Sequence, residues 1–597
     1  MSHTGSALVD QLAAAGRQNP TLPTIRSVAD APFDWCRRNV TAAWLMVAVV
    51  LGLLQAAYFR DFINPDGIAY LDMGDAYLRG DWLTAIRGHW SPLYAWLIAA
   101  VVRVLQPPPS LEFPLVHVVN AGIYLVALGT FTFLLRQIEA TLSTPALTST
   151  AAQATRLPAW VWKSLGYAVF LWCTLRYGLL ELVTPDLLVS ALVYAIGGVV
   201  LRVRRRSGWQ SSVLLGALLG LGYLAKTPML LLAPVFVAAS VLLIPGRAKR
   251  LVHAGLTLSV LALVAIPFVL VLSLAKGRLT AGDSAMLNYL WLVDGVTPYL
   301  HWQGGPAGSG QPVHRDQVLL EQPAVYAFDS PFWVTYSAWY APDYWYEGGT
   351  PHFVLSGQVR AILGGLTVYE SMAKQLALPL VGTAVLVLMR PRGWSSGFAP
   401  ALTLIAPSIT ALCMYSIVIV EERYVGPFVV LLFVALLGLM IQLPLSKWSR
   451  TVVTGVAAVM LVSLMLPAGK AASEQGSSVS TDVTRDHLLA PDEQAQVAMG
   501  LRAAGLQPGD PVASGGRAID DAWARLARVR IVAEVGDREG ATMLATDADA
   551  RARVQAALLQ THAAAIVARD WPGLTGDPGW VGIGGTSYFY YLMPSRS

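Results

Sequence analysis

Cysteine and charge are both scarce in this chain of 597 residues. The three cysteines, Cys36, Cys173 and Cys413, lie in or beside apolar segments, which excludes a disulfide framework and leaves no metal-ligand spacing. Only 13% of residues are charged. There is no Gly-rich phosphate loop, no string of metal ligands and no internal repeat, which removes the usual nucleotide-binding and solenoid readings. The net charge of +5 is weak evidence for any partner, because in an apolar chain excess Lys and Arg mostly report topology; no nucleic-acid partner follows from it.

What is abundant is hydrophobic sequence. Apolar residues make up 55% of the chain and the mean hydropathy is +0.52. The apolar runs are continuous rather than alternating, so a β-barrel is excluded, and many approach the roughly 18–20 residues that cross a ~30 Å hydrocarbon core. The fold class is therefore a polytopic α-helical membrane protein. Eleven spans are expected near 41–59, 114–135, 159–177, 186–203, 211–226, 228–245, 251–275, 376–389, 398–420, 424–443 and 451–467. The run 92–106 is short, contains Arg103 and ends in three prolines, so it reads as a re-entrant or interfacial helix.

Flanking charge tests that choice. With residues 1–40 as a cytoplasmic arm and 92–106 not crossing, alternate loops collect Arg17, Arg26, Arg37 and Arg38, then Arg136, Arg156 and Lys163, then the cluster Arg202, Arg204, Arg205 and Arg206. The next two on that side hold Arg247, Lys249 and Arg250, then Arg390 and Arg392; Lys447 and Arg450 close the series. That is the positive-inside pattern. It sends residues 60–113, the Thr-Pro-Asp at 184–186, Lys226, residues 276–375, the Glu-Glu-Arg-Tyr at 421–424 and everything after 468 to the opposite, extracytoplasmic side. The chemically unusual residues thus share one face, although none was used to build the topology.

The stretch 276–375, rich in aromatics, Gly and Pro, is expected to form short helices and loops on the membrane. Residues 469–480 read as a linker, and 481–597 as a small α/β domain with strands in "PGDPVAS", "ARLARVRIVAEV" and "HAAAIVARD" and helices in "PDEQAQVAMGLRAAG" and "DADARARVQAALLQ".

Within "INPDGIAYLDMGDAYLRGDW", Asp66 follows a span by a few residues, and Asp66, Tyr70 and Met73 share a helical face that excludes Asp72 and Asp75. A carboxylate at the membrane boundary suits a general base; the competing account is a solvated loop acid or helix cap, which is the preferred account for Asp72, Asp75 and Asp81. Asp186 opens a span after Thr-Pro, where an acid at the positive helix end is an adequate structural explanation beside a supporting catalytic one. Lys226 stands between two apolar runs with no other charge nearby, a costly placement that points to function. Arg423 occupies the matching position between two other spans. The two cations suit a lipid phosphate, while a structural bridge from Arg423 to Glu421 or Glu422 is the alternative. Among the aromatics of 276–375, Trp302, Trp333, Trp339, Tyr340, Tyr344, Trp345 and Tyr346 offer either a sugar-stacking platform or an interfacial belt. His301, His314 and His352 lack metal spacing.

The segments "NPDGIAYLDMGDAYLRGDW" and "GHWSPLYAWLIA" resemble the first extracytoplasmic loop of GT-C glycosyltransferases, in the branch of the protein O-mannosyltransferases and lipid A aminoarabinose transferases. "VTPDLLVSALVY", "LGYLAKTP" and "EERYVGPF" are similar to further elements, so the resemblance spans about 40–445. It implies an inverting transfer of sugar from a polyprenyl-phosphate carrier to a glycan, lipid or protein acceptor, in a bacterial inner membrane. Asp66 would be the base, Asp186 a supporting acid, and Lys226 and Arg423 the phosphate ligands. Tyr70, His89, Tyr94, Glu422, Tyr344 and Trp345 are candidate substrate contacts. No cofactor is expected, and no divalent cation is indicated. The family often carries Asp-Glu where this chain has Asp66-Gly67, which leaves the second acid's role without a counterpart. A polysaccharide polymerase or ligase using a lipid-linked donor, a lipid or sugar transporter, and a non-catalytic scaffold are the alternatives. A transporter would place its charges near mid-bilayer or show paired repeats.

Overall fold

The computed structural model describes residues 39–142, 158–206, 208–296, 317–328, 330–388, 398–440, 447–485, 487, 490–535, 547–569, 574 and 578–593. The N-terminal arginines, Arg156, Arg390, Arg392, His301, Trp302 and His314 lie outside these. The chain divides into two units, Met1–Val47 and Ala48–Ser597; of the first, the described residues are the opening of the Val40–Tyr58 helix.

The protein is a polytopic α-helical membrane protein with a small C-terminal sheet domain. Each of the eleven expected spans coincides with a helix. Among the described residues, seven helices are long and apolar enough to cross a membrane: Val40–Tyr58, Pro109–Thr141, Asp186–Val203, Arg247–Lys276, Ala399–Ser416, Glu422–Leu439 and Thr451–Thr484. The others are Ala159–Arg176, Trp209–Ala225, Pro228–Val241 and Ala377–Leu388. Ala159–Arg176 carries Lys163 and Arg176 but buries most of its side chains between neighbours, so it faces little lipid whatever its mean hydropathy. The run at 92–106 forms a 14-residue helix, Pro92–Leu105, about 21 Å long at 1.5 Å per residue and equal in length to Pro228–Val241. It ends at Gln106 in the left-handed region, just before the three prolines that forbid its continuation.

Two expectations are corrected. Residues 469–480 are not a linker: the helix Lys447–Thr484 runs through them without a break. Ser and Gly suggested flexibility, but Ala471, Ala472, Glu474 and Gln475 favour helix, and Arg60 anchors the far end through Asp482 at 3.0 Å. The second correction concerns the sheet, which is not confined to 481–597. Its seven strands are β1 Gln317–Leu320, β2 Val325–Ala327, β3 Pro511–Ser514, β4 Arg530–Val535, β5 Ala565–Arg569, β6 Trp580–Gly582 and β7 Tyr588–Leu592, in the order β1-β2-β4-β3-β5-β7-β6.

The hairpin β1–β2 comes from the 276–375 stretch, where helices and loops were expected, and β2 pairs antiparallel with β4, Tyr326 opposite Glu534. At the centre β3 runs parallel to both β4 and β5. Val325, Ala533, Val554, Leu558 and Ile566 pack beneath this sheet, so both halves of the chain build one core. The borrowed strand covers an edge of β4 that would otherwise be left unpaired.

Candidate functional site

Asp66 occupies the first turn of the helix Pro65–Arg79. Proline at the first position and the short polar entry start the helix here, and Gly80 in the left-handed region ends it. The residue before the helix, Asn64, does not cap it; its Oδ1 accepts the amide of Val183 at 2.8 Å. This ties the start of the Asp66 helix to the segment that leads into Asp186. Gly67 seals the same junction. A Cβ there would lie 2.7 Å from Val183 Cβ and 2.8 Å from Ile63 Cγ1, so the position next to Asp66 has no room for the second acid seen in similar motifs.

Asp186, Lys226 and Arg423 stand at the ends of three other helices, Asp186–Val203, Trp209–Ala225 and Glu422–Met440, and these ends converge on Asp66. Arg423 lies 3.4 Å from Asp66 Oδ2, and its Nε is 3.8 Å from Asp186. Lys226 is paired with Asp186 Oδ1, and Thr184 donates to the other oxygen at 2.9 Å. Lys226 Nζ also sits 3.3 Å from the centroid of the Tyr424 ring, a favourable face for a desolvated ammonium. Two carboxylates and two cations therefore form one alternating cluster. Arg423 does not bridge to Glu421 or Glu422.

The cluster lies in the wall of a cavity of about 320 Å³. Tyr70 and His89 line it together with Trp90, Ser91, Thr227, Asn288 and Tyr424, which sequence reasoning did not single out. The rest of its lining is largely apolar, with Met414, Tyr415, Ile417, Val418, Ile419 and Leu231 beside Thr184 and Ser284. Tyr424 was readable as the neighbour of Arg423; the Met414–Ile419 wall carried no signal beyond apolarity. Burial holds the His89 imidazole below its ordinary range against the pull of Asp343, Asp66 and Asp283, so the ring is neutral near pH 7. Its Nδ1 is buried without a hydrogen-bond partner, which leaves a polar atom for a bound hydroxyl.

Tyr94 stands behind this wall. It is fully buried, meets Tyr70 edge-on at 5.2 Å and donates to Asn120 at 2.6 Å. Glu422 lines a neighbouring cavity with Asp66 and Arg423. Tyr344 and Trp345 line neither cavity. Trp345 is buried, donates to Ser337 O at 3.0 Å and meets Tyr344 edge-on, packing the loop together instead of facing a ligand.

Between those aromatics and the cavity stands Asp343. Its carboxylate accepts Arg87 at 2.8 Å and the Gly88 amide at 3.3 Å and pairs with Lys276, which fixes the loop leading to His89 and Trp90. Burial would raise this carboxyl, but the charges of Arg87 and Lys276 outweigh it and hold it down to about 2. Because the folded value lies below the unfolded one, the pair stabilises the fold above the unfolded carboxyl range and loses that contribution as pH falls from about 4 toward 2. The expected size is about 2 kcal/mol. Thermal melts of the wild type and Asp343→Asn in detergent should differ by a gap that narrows over this interval; a gap independent of pH would refute the pairing.

The other acids of the first loop divide. Asp81 caps a short helix by accepting Thr84 N at 3.2 Å. Asp72 and Asp75 are not solvated loop acids: both pair with the buried Arg525 at 2.8 Å, which also reaches Glu112 at 2.8 Å. Nothing in the local sequence announces a partner some 450 residues away.

No family model and no curated protein matches the chain. Among solved structures it is similar to ArnT from Cupriavidus metallidurans bound to undecaprenyl phosphate, with 15% identity and a TM-score of 0.49 over 93% of this chain and 98% of that one. The Archaeoglobus fulgidus oligosaccharyltransferase in its apo form is similar at 11% identity and a TM-score of 0.47, over 88% of this chain and 69% of that one.

Proposed function

We propose that this chain is a membrane glycosyltransferase of the GT-C kind, moving a sugar from a polyprenyl-phosphate donor to an acceptor hydroxyl with inversion at the anomeric carbon. The reading is supported above all by one observation: a carboxylate, Asp66, and two cations, Lys226 and Arg423, meet in a cavity whose lining is otherwise largely apolar. A lipid phosphate needs that combination, cations for its head and an apolar surface for its first isoprene units.

In this mechanism Asp66 removes the acceptor proton as the hydroxyl oxygen attacks the anomeric carbon. The carbon–oxygen bond to phosphate breaks, and the polyprenyl phosphate departs with the electron pair. Lys226 and Arg423 stabilise the charge that develops on it. Because the phosphate is already a good leaving group, positioning, a base and a cationic clamp suffice. Asp186 holds Lys226 and Arg423 in place when no phosphate is bound; a bound phosphate takes over part of Arg423 and frees Asp66 to act as the base. The distribution of Arg and Lys in the loops supports a site facing the extracytoplasmic side, with residues 41–468 as the catalytic membrane domain; a bacterial inner membrane is what the family resemblance implies.

Transfer from labelled polyprenyl-phosphate sugars in membranes tests the reading. Lys226→Ala is expected to raise the KM for the donor about tenfold or more, the scale of one lost charge-assisted hydrogen bond. An unchanged donor KM would remove Lys226 from the phosphate site. A transporter would instead move lipid or sugar without releasing free polyprenyl phosphate.

A further inference from the structure

Asp66 and Arg423 line a second cavity as well, of about 620 Å³. The pair therefore borders two spaces of different chemistry. The first is walled by Met414–Ile419; the second is mostly polar, with Glu181, Glu421, Glu422, Arg176, Gln375 and Tyr177 around it. Resting on the function proposed above, we infer that the second cavity receives the acceptor, and that the acceptor presents non-phosphorylated saccharide hydroxyls, with Glu181, Glu421 and Glu422 binding them and rejecting phosphorylated alternatives.

Three features carry this. Inversion requires the attacking oxygen to approach from the side opposite the leaving phosphate with the base beside it, and the second cavity is a space distinct from the apolar one that also has Asp66 in its lining. Next, Glu181, Glu421 and Glu422 make no side-chain hydrogen bond or ion pair within the described residues, whereas the carboxylates of the neighbouring cluster are all engaged. Carboxylates with open lone pairs are strong acceptors for sugar O–H groups. Gln375 adds an amide, and the Tyr177 hydroxyl is 3.5 Å from Gln375 Oε1. Finally, the lining holds the four carboxylates of Asp66, Glu181, Glu421 and Glu422 against the guanidiniums of Arg176 and Arg423, and Arg423 is already shared with Asp66 and Asp186. A phosphate entering here meets like charge, so the lining discriminates by repulsion as well as by fit.

The test uses the full chain purified in a detergent without a sugar head group. It is supplied with labelled polyprenyl-phosphate sugars and three probes: octyl glucoside, its 6-phosphate and octyl glucosaminide. Each is assayed as acceptor and as competitor of transfer to acceptors in native membranes. Octyl glucoside is expected to accept or compete at least about tenfold better than the phosphate. Glu421→Gln and Glu181→Gln are expected to raise its KM about tenfold while the donor KM moves less than about twofold. Preference for the phosphorylated probe, or no effect of either octyl glucoside or octyl glucosaminide, would overturn the inference while leaving the transferase reading intact. Failure to release polyprenyl phosphate from any donor, in membranes or detergent, would instead defeat the transferase reading and this inference with it.

Discussion

Asp66→Asn is expected to lower the transfer rate by about 10²- to 10⁴-fold, the usual loss on removing a general base, with no fall in donor affinity. Asparagine keeps the size and hydrogen-bonding reach of aspartate, so the helix entry and its packing through Gly67 and Asn64 stay in place. Arg423 loses one of its two carboxylates and keeps Asp186 at 3.8 Å, so it becomes more available to a phosphate. The donor KM should therefore hold or fall as kcat collapses, a split that a merely misfolded variant would not produce. Steady-state kinetics with labelled donor, alongside a melting curve to show intact folding, would check it. Wild-type turnover in Asp66→Asn would end the assignment of the base and, with it, the proposed mechanism.

The second large effect concerns the join between the C-terminal sheet domain and the Asp66 helix. Arg525 is buried, with 3% of its side chain exposed, and its guanidinium is divided among Asp72, Asp75 and Glu112. Glu112 is wholly buried and takes two bonds from Arg525, at 2.8 and 3.1 Å. Asp72 is further held by the amide and hydroxyl of Thr335, both at 2.9 Å, and Arg528 supports Asp75 and Glu112 from the more exposed side.

Removing Arg525 strands these carboxylates away from water. Such a loss typically costs about 3–5 kcal/mol, and Arg525→Ala should lower the melting temperature of the full chain accordingly. Arg525→Lys should recover little, because a point ammonium cannot serve three carboxylates as a planar fork does. Adding Asp72→Asn and Glu112→Gln to Arg525→Ala should restore part of the stability, since the penalty comes from uncompensated charge. A single variant as stable as the wild type would show that the cluster holds nothing together. Asp72 and Asp66 share the helix Pro65–Arg79, so the cluster also explains why that helix is rigid enough to present Asp66.

Much of this protein was legible in one dimension. Membrane insertion depends on the apolarity of each segment taken alone, so the eleven helices and the meeting of chemically unusual residues at one set of helix ends followed from composition and flanking charge. Asp66, Asp186, Lys226 and Arg423 stood out because an ionised group beside a bilayer demands a reason. What the chain order could not disclose were pairings between distant segments. Asp72 and Asp75 look like solvated loop acids until Arg525 folds onto them; β1 and β2 have no local mark of joining a sheet built two hundred residues later; and Tyr344 and Trp345 carry the composition of a sugar platform while serving as packing. The apolar and polar cavities that share Asp66 are likewise products of assembly. Local energetics are written in neighbouring residues, whereas burial, charge compensation and enclosed volume depend on what arrives from elsewhere, and only the tertiary structure decides that.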